Sequence, residues 1–265
     1  MRDEKTANAK SRNQGLTTAD QSSSLRSHPS SLRVLLWDLD GTLVRGRRYG
    51  VFKDYTVPML QAVFGTAGRL PEMIVSGMTD LQIVEEALRP EGITREHIRA
   101  RLDELRGCYI EEMKRATGNG NHIIEAMPGA REALERIDAH RRYLSALLTG
   151  NIEPAAQLKI EITGLAQFLN LPGAFGDDSF DRRDLPAIAS QRINESLGAN
   201  LQPEQFIVIG DTPNDIACAR HFGARVVAVA TGRVHTAEDL RACEPDALLP
   251  NLLDPELLIR TLEHF

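Results

Sequence analysis

The stretch Leu32-Arg33-Val34-Leu35-Leu36-Trp37-Asp38-Leu39-Asp40-Gly41-Thr42-Leu43 decides the fold. Its first half is a near-continuous apolar run, and its second half opens abruptly into two carboxylates, a glycine and a hydroxyl. An unbroken aliphatic run, rather than an alternating one, suits a strand buried on both faces of a parallel sheet. Polar residues just beyond the end of such a strand suit a ligand crevice.

Three further runs repeat the pattern. Tyr143-Leu144-Ser145-Ala146-Leu147-Leu148 leads to Thr149-Gly150-Asn151, and Phe206-Ile207-Val208-Ile209 leads to Gly210-Asp211-Thr212-Pro213-Asn214-Asp215. Val226-Val227-Ala228-Val229 leads to Thr231-Gly232. Amphipathic helical segments lie at 129–140, 154–163, 185–197 and 213–222. Alternating strands and helices predict an α/β fold with a Rossmann-like, three-layer parallel-sheet core. Between about 49 and 126 the rhythm changes to helical patterns alone, at 57–64, 81–88 and 94–116, which predicts an inserted α-helical cap domain. The expected division is a disordered tail at 1–31, a core at 32–46 and 127–265, and a cap at 47–126. Residues 1–31 are rich in Ser, Thr, Asn, Gln and charge, too polar to offset the entropy of ordering.

Bulk composition narrows the function. Of 265 residues, 31 are Lys or Arg and 37 are Asp or Glu, giving a net charge of −6. That balance gives no electrostatic reason to expect a nucleic acid or an anionic membrane as partner. A site for an anionic substrate must therefore be built locally. Cys108, Cys218 and Cys243 are too scattered for a disulfide framework or a zinc signature. No apolar run approaches the roughly 20 residues that span a bilayer, and the N-terminus lacks a secretory hydrophobic stretch. The expected location is cytoplasmic.

An isolated Asp-x-Asp is more often a turn or helix cap than a catalytic pair. Here four polar clusters at four strand ends would converge on one crevice, which changes that reading. Of two carboxylates past a strand end, one can attack a substrate while the other handles protons. Asp211 and Asp215 add two more, and so many acids beside a phosphate need a hard cation; oxygen-only ligands favour Mg²⁺. Gly41 permits a tight turn that lets backbone amides face a phosphate, and Thr42 adds a hydroxyl. Thr149, Gly150 and Asn151 offer a hydroxyl, an amide and a carboxamide.

This combination resembles the haloacid dehalogenase superfamily, and most closely its phosphoglycolate phosphatase-like group. Asp38-Leu39-Asp40-Gly41-Thr42-Leu43 matches the first motif, Thr149-Gly150-Asn151 the second, and Gly210 to Asp215 the fourth. The helical insert lies where the family carries its cap. The resemblance implies Asp38 as the nucleophile that forms an aspartyl-phosphate and Asp40 as general acid/base. It implies Mg²⁺ held by Asp38, Asp211 and the carbonyl of Asp40, with Asp215 in support, and Thr149 and the Gly150 backbone on the phosphoryl oxygens. The third-motif cation falls to Arg182 or Arg183, since no lysine lies between Lys159 and Asp211. A carboxylate at Asp40 points to phosphate esters, because an alkoxide leaving group needs a proton and a halide does not.

The expected activity is Mg²⁺-dependent hydrolysis of a small phosphorylated metabolite, with no nucleic acid or membrane partner. The alternatives are a phosphoglucomutase-like transfer to a sugar and a non-catalytic regulatory protein on the same fold. Within the insert, Thr79 and Asp80 are candidates for substrate selection or, more simply, for capping a helix. Arg45, Arg47 and Arg48 read as a solvated hinge surface.

Overall fold

A computed structural model of the chain describes residues 32–118 and 123–265. The expectation for 1–31 lies outside the described residues. In chain order the elements are β1 (Arg33–Trp37), β2 (Val44–Gly46), α1 (Lys53–Phe64), α2 (Asp80–Leu88), α3 (Arg95–Ala100), α4 (Leu102–Thr117) and β3 (Ile124–Ala126). There follow α5 (Ala130–Asp138), β4 (Tyr143–Leu148), α6 (Glu153–Thr163), β5 (Leu171–Ala174), α7 (Leu185–Leu197) and β6 (Phe206–Gly210). The chain ends with α8 (Pro213–Phe222), β7 (Arg225–Val229), α9 (Ala237–Ala242), β8 (Ala247–Leu249) and α10 (Pro255–Glu263).

Six strands form one parallel sheet in the order β5-β4-β1-β6-β7-β8. The apolar runs make its centre, and alternate β1 side chains enter different cores. Leu35 and Trp37 join one apolar cluster, Val34 and Leu36 the other. This burial on both faces is why the run does not alternate in polarity. The sheet grows from β1 to one edge and restarts at β6 on β1's other side, so the strand order reverses beside β1. Parallel α/β sheets bind ligands at such a reversal. In register, Trp37 faces Leu147 of β4 and Ile209 of β6, which brings three of the four polar clusters level.

Four strands, β2, β3, β5 and β8, were not anticipated from sequence. β5 contains Pro172 and Gly173, both poor strand formers, and is tolerated because it sits at the sheet edge. β2 and β3 pair antiparallel, with Val44 opposite Ala126 and Gly46 opposite Ile124. They form a narrow ribbon through which the chain leaves for α1–α4 and returns. The segment expected as one helix at 94–116 is two, α3 and α4, broken at Arg101 (φ −115°, ψ 18°). α1 and α4 pack on each other, with the Tyr55 and Tyr109 rings 5.5 Å apart. The insert's Met59, Leu60, Val84 and Leu105 belong to the same apolar cluster as Leu35 and Trp37. All three cysteines are free, and no helix among the described residues is long and apolar enough to cross a membrane.

Candidate active site

Asp38 follows directly from β1, and its backbone N–H donates to the Ile209 carbonyl (2.8 Å), which fixes it beside β6. Carboxylate oxygens of Asp38, Asp211 and Asp215 all lie within 4.8 Å of one another, and the three residues are buried. Burial pushes the Asp38 carboxyl up to about 7, with Asp215 adding to the rise and Arg182 opposing it. Burial likewise raises Asp211, with Asp38 as the next cause. Arg182 is the one cation among the described residues that directly bridges two of this trio, Asp38 and Asp215. Its Nη2 donates to Asp38 Oδ1 and Asp215 Oδ1, each at 2.5 Å. Its Nε is buried without a hydrogen-bond partner. The other Asp215 oxygen accepts from the N–H (3.0 Å) and hydroxyl (2.6 Å) of Thr212, which caps α8. Asp215 thus supports Arg182 and the helix start.

The turn after β1 is shaped around Asp211. Gly41 has φ +100°, and a Cβ there would collide with the Asp211 carboxylate; only glycine satisfies both constraints. Thr42 Oγ1 donates to Asp211 Oδ1 (3.1 Å), and Thr231 Oγ1 donates to the Gly41 carbonyl (2.7 Å). The fourth strand end therefore contributes by bracing the turn.

Asp40 is in different surroundings, with its side chain 47% exposed. One oxygen, Oδ2, accepts from Lys159 Nζ (2.6 Å) and from Asn151 Nδ2 (2.6 Å). Lys159 also donates to Asn151 Oδ1 (2.7 Å), and Asn151 Nδ2 donates to Thr149 Oγ1 (2.8 Å). Burial disfavours the Lys159 ammonium, but Asp40, Tyr55 and Asp80 together outweigh it and raise the group above its usual value. Sequence reasoning missed this residue. The signal was present: on α6 the buried positions are Ala155, Ala156, Lys159 and Ile160, so the helical period puts a lysine on the apolar face. Tyr55, from α1 of the insert, lies near Lys159, and burial raises its phenol to about 12.

The two arginine candidates separate cleanly. Arg183 is exposed and forks onto Asp181, so the expectation that it reaches a phosphate is corrected: it follows Arg182 in a short helical turn and emerges on the other side. Thr79 caps α2, accepting from the Gln82 N–H (3.1 Å). Asp80 accepts at Oδ2 from the Ile152 N–H (2.8 Å), while its own N–H donates to the Gly150 carbonyl (2.6 Å). Leu81 N–H reaches the Gly176 carbonyl (3.4 Å). These bonds dock the start of α2 on the loops after β4 and β5. Arg106 of α4 adds a tie to the buried Asp177 (2.7 Å), which also accepts from the Glu153 N–H (2.9 Å).

The comparisons with known proteins agree with this arrangement. A family model described as HAD-hydrolase-like matches residues 185–255. A phosphoglycolate phosphatase of Vibrio vulnificus is 23% identical over 245 residues, covering 86% of this chain and 97% of that protein. A predicted phosphoglycolate phosphatase from Haemophilus somnus superposes with a TM-score of 0.57 at 21% identity, covering 86% of this chain and 98% of that one. The β-phosphoglucomutase of Clostridium difficile superposes at 0.61 with 14% identity, covering 88% and 98%. The chain is thus similar to haloacid dehalogenase-like hydrolases, in sequence over 185–255 for the family model and over most of its length for the relatives.

The crevice opens into a cavity of about 340 Å³ between the strand ends and the insert. Asp38, Asp40, Gly41, Thr149, Gly150, Asn151, Lys159, Arg182, Asp211 and Thr212 all line it. Three buried carboxylates against one bridging guanidinium leave an excess of negative charge. The oxygen donors suit a hard divalent cation, which would relieve the burial that raises Asp38 and Asp211.

Proposed function

We propose that this hydrolase cleaves the phosphate monoester of a small metabolite, with Mg²⁺ as cofactor and a phosphorylated Asp38 as intermediate. The observation that carries the reading is the contrast between two carboxylates at one strand end. Asp38 is buried against Arg182 and Asp211, whereas Asp40 is half-exposed in the cavity and held by Lys159 and Asn151. Such unequal surroundings suit a nucleophile and a proton carrier.

In the first step a free oxygen of Asp38 attacks phosphorus. The phosphorus–alkoxide bond breaks, and Asp40 gives its proton to the departing oxygen. In the second, water attacks the phosphoryl group, passes a proton to Asp40 and releases Asp38. The sum is ester plus water to alcohol plus phosphate. Arg182, the Thr149 hydroxyl and the Gly150 amide hold the phosphoryl oxygens in place. The carboxylates of Asp38 and Asp211 and the carbonyl of Asp40 would hold the Mg²⁺. When bound it neutralises charge on the phosphoryl oxygens. Residues 47–126 act as a cap that shields the intermediate from stray water and presents a specificity wall.

Asp38→Asn keeps the volume and removes the attacking oxygen. With Mg²⁺ and p-nitrophenyl phosphate, turnover should fall more than ~10³-fold while the melting temperature is maintained. Wild-type turnover in this variant would end the assignment. Release of one free phosphate per ester, with no bisphosphate requirement, separates hydrolysis from transfer to a sugar.

A further inference from the structure

The wall facing the phosphate seat carries information about the rest of the ester. Val51, Met73, Val75, Met78, Ile83 and Tyr109 line it, all apolar or aromatic. Of the cations that share the cavity, all but Arg233 are already engaged. Arg45 pairs with Glu125 (2.8 Å), Arg48 pairs with Asp54, and Lys53 donates to the Pro71 carbonyl (2.6 Å). Lys159 and Arg182 serve Asp40 and Asp38. Arg233, next to Val234 in the exposed stretch after Thr231-Gly232, also lines the cavity, from the core side. A second anionic group, such as the carboxylate of a phosphorylated hydroxy acid, meets no uncommitted cation on the insert side.

A second observation points the same way. Among the described residues five large apolar side chains are exposed, and three of them, Tyr49 (65%), Ile74 (71%) and Val234 (39%), line this cavity. Exposed apolar groups gathered at one opening mark a binding surface, because each leaves water when a ligand covers it.

We propose that the leaving alcohol is apolar: a phenol or a short-chain aliphatic alcohol, released uncharged after Asp40 protonates it. This inference rests on the hydrolase reading above. The phosphoryl group sits among Arg182, Thr149 and Gly150, and the organic part lies along Val75, Met78 and Ile83 towards Ile74. Binding selectivity then comes from area removed from water, and it grows with the length of the alcohol.

The test is a steady-state series with Mg²⁺ over ethyl, butyl and hexyl phosphate, phenyl phosphate and 2-phosphoglycolate. We expect kcat/KM to rise about threefold to fourfold per added methylene, carried by KM, with butyl phosphate preferred at least ~10-fold over 2-phosphoglycolate. Ile74→Ser should flatten this slope with an unchanged melting temperature, because the side chain it replaces is mostly in water. A flat series, or a preference for 2-phosphoglycolate over butyl phosphate, would overturn the inference and leave the hydrolase reading intact. Release of phosphate from none of the esters would overturn both.

Discussion

Lys159 is the residue whose role the geometry makes most specific. It is 3% exposed and touches the carboxylate proposed to move the proton. Lys159→Met removes a charge-assisted hydrogen bond and leaves Asp40 held by Asn151 alone. We expect kcat to fall by on the order of 10²-fold, more for alkyl esters than for p-nitrophenyl phosphate, whose leaving group needs little protonation. An equal loss on both substrates would show that Lys159 acts elsewhere. Asp80 supplies a second prediction. Burial lifts its carboxyl from 3.8 to about 7. The folded state therefore binds this proton more tightly than the unfolded chain, so its stabilising contribution is complete below pH 4 and disappears as pH rises through 7. Asp80→Asn keeps the acceptor for the Ile152 N–H without the charge. Its melting temperature should exceed the wild type's increasingly between pH 4 and 7 and then level off, with a ceiling of about 4 kcal/mol. A constant difference across that range would contradict the burial argument. The aspartates at the strand ends were legible from sequence because β1, β4 and β6 are adjacent and parallel. Lys159 was not, because a lysine eight residues beyond Asn151 gains meaning only when α6 turns it towards Asp40. Arg182 was only slightly favoured over Arg183 in the string, by its distance from the helix; a short helical turn buries the first and exposes the second.

At the scale of elements, the insert is secured through the starts and sides of its helices. The α2 start is held by backbone bonds to Gly150 and Gly176, and a Cβ at either glycine would strike backbone atoms of the facing loop. The α4 side is held by Arg106 on Asp177, and the α3 arginine Arg95 lies over the Phe180 ring (4.9 Å). Arg106→Ala leaves Asp177 with its Glu153 bond alone. A loss of roughly 1–3 kcal/mol is expected, read as a lower melting temperature together with a raised KM. A raised KM with undiminished stability would place Arg106 in substrate steering instead. The core helices were readable because their apolar period is clean: the spans at 185–197 and 213–222 match α7 and α8. The break at Arg101 was not readable, since neither proline nor glycine marks it. β5 was hidden by Pro172 and Gly173, whose tolerance depends on being at an edge.

For the molecule as a whole, the prominent imbalance is local: three buried carboxylates gathered at one point of a chain whose overall charge is only −6. A divalent ion that binds the folded state alone must stabilise it by mass action, by about 2.7 kcal/mol at a hundredfold excess over its dissociation constant. Mg²⁺ should therefore raise the melting temperature by several degrees, chelation should reverse the gain, and Asp211→Asn should abolish it. A melting temperature indifferent to Mg²⁺ would place the metal elsewhere. The paired strands β2 and β3 carry a further consequence. The chain departs from and returns to the sheet at residues that face each other, Gly46 and Ile124, so everything between them closes a loop whose ends are already joined. Such a segment behaves as a cassette. It can lengthen, shorten or be exchanged at little entropic cost to the rest, and a transplant at this junction would carry a new preference for alcohols onto an unaltered phosphate-cleaving floor.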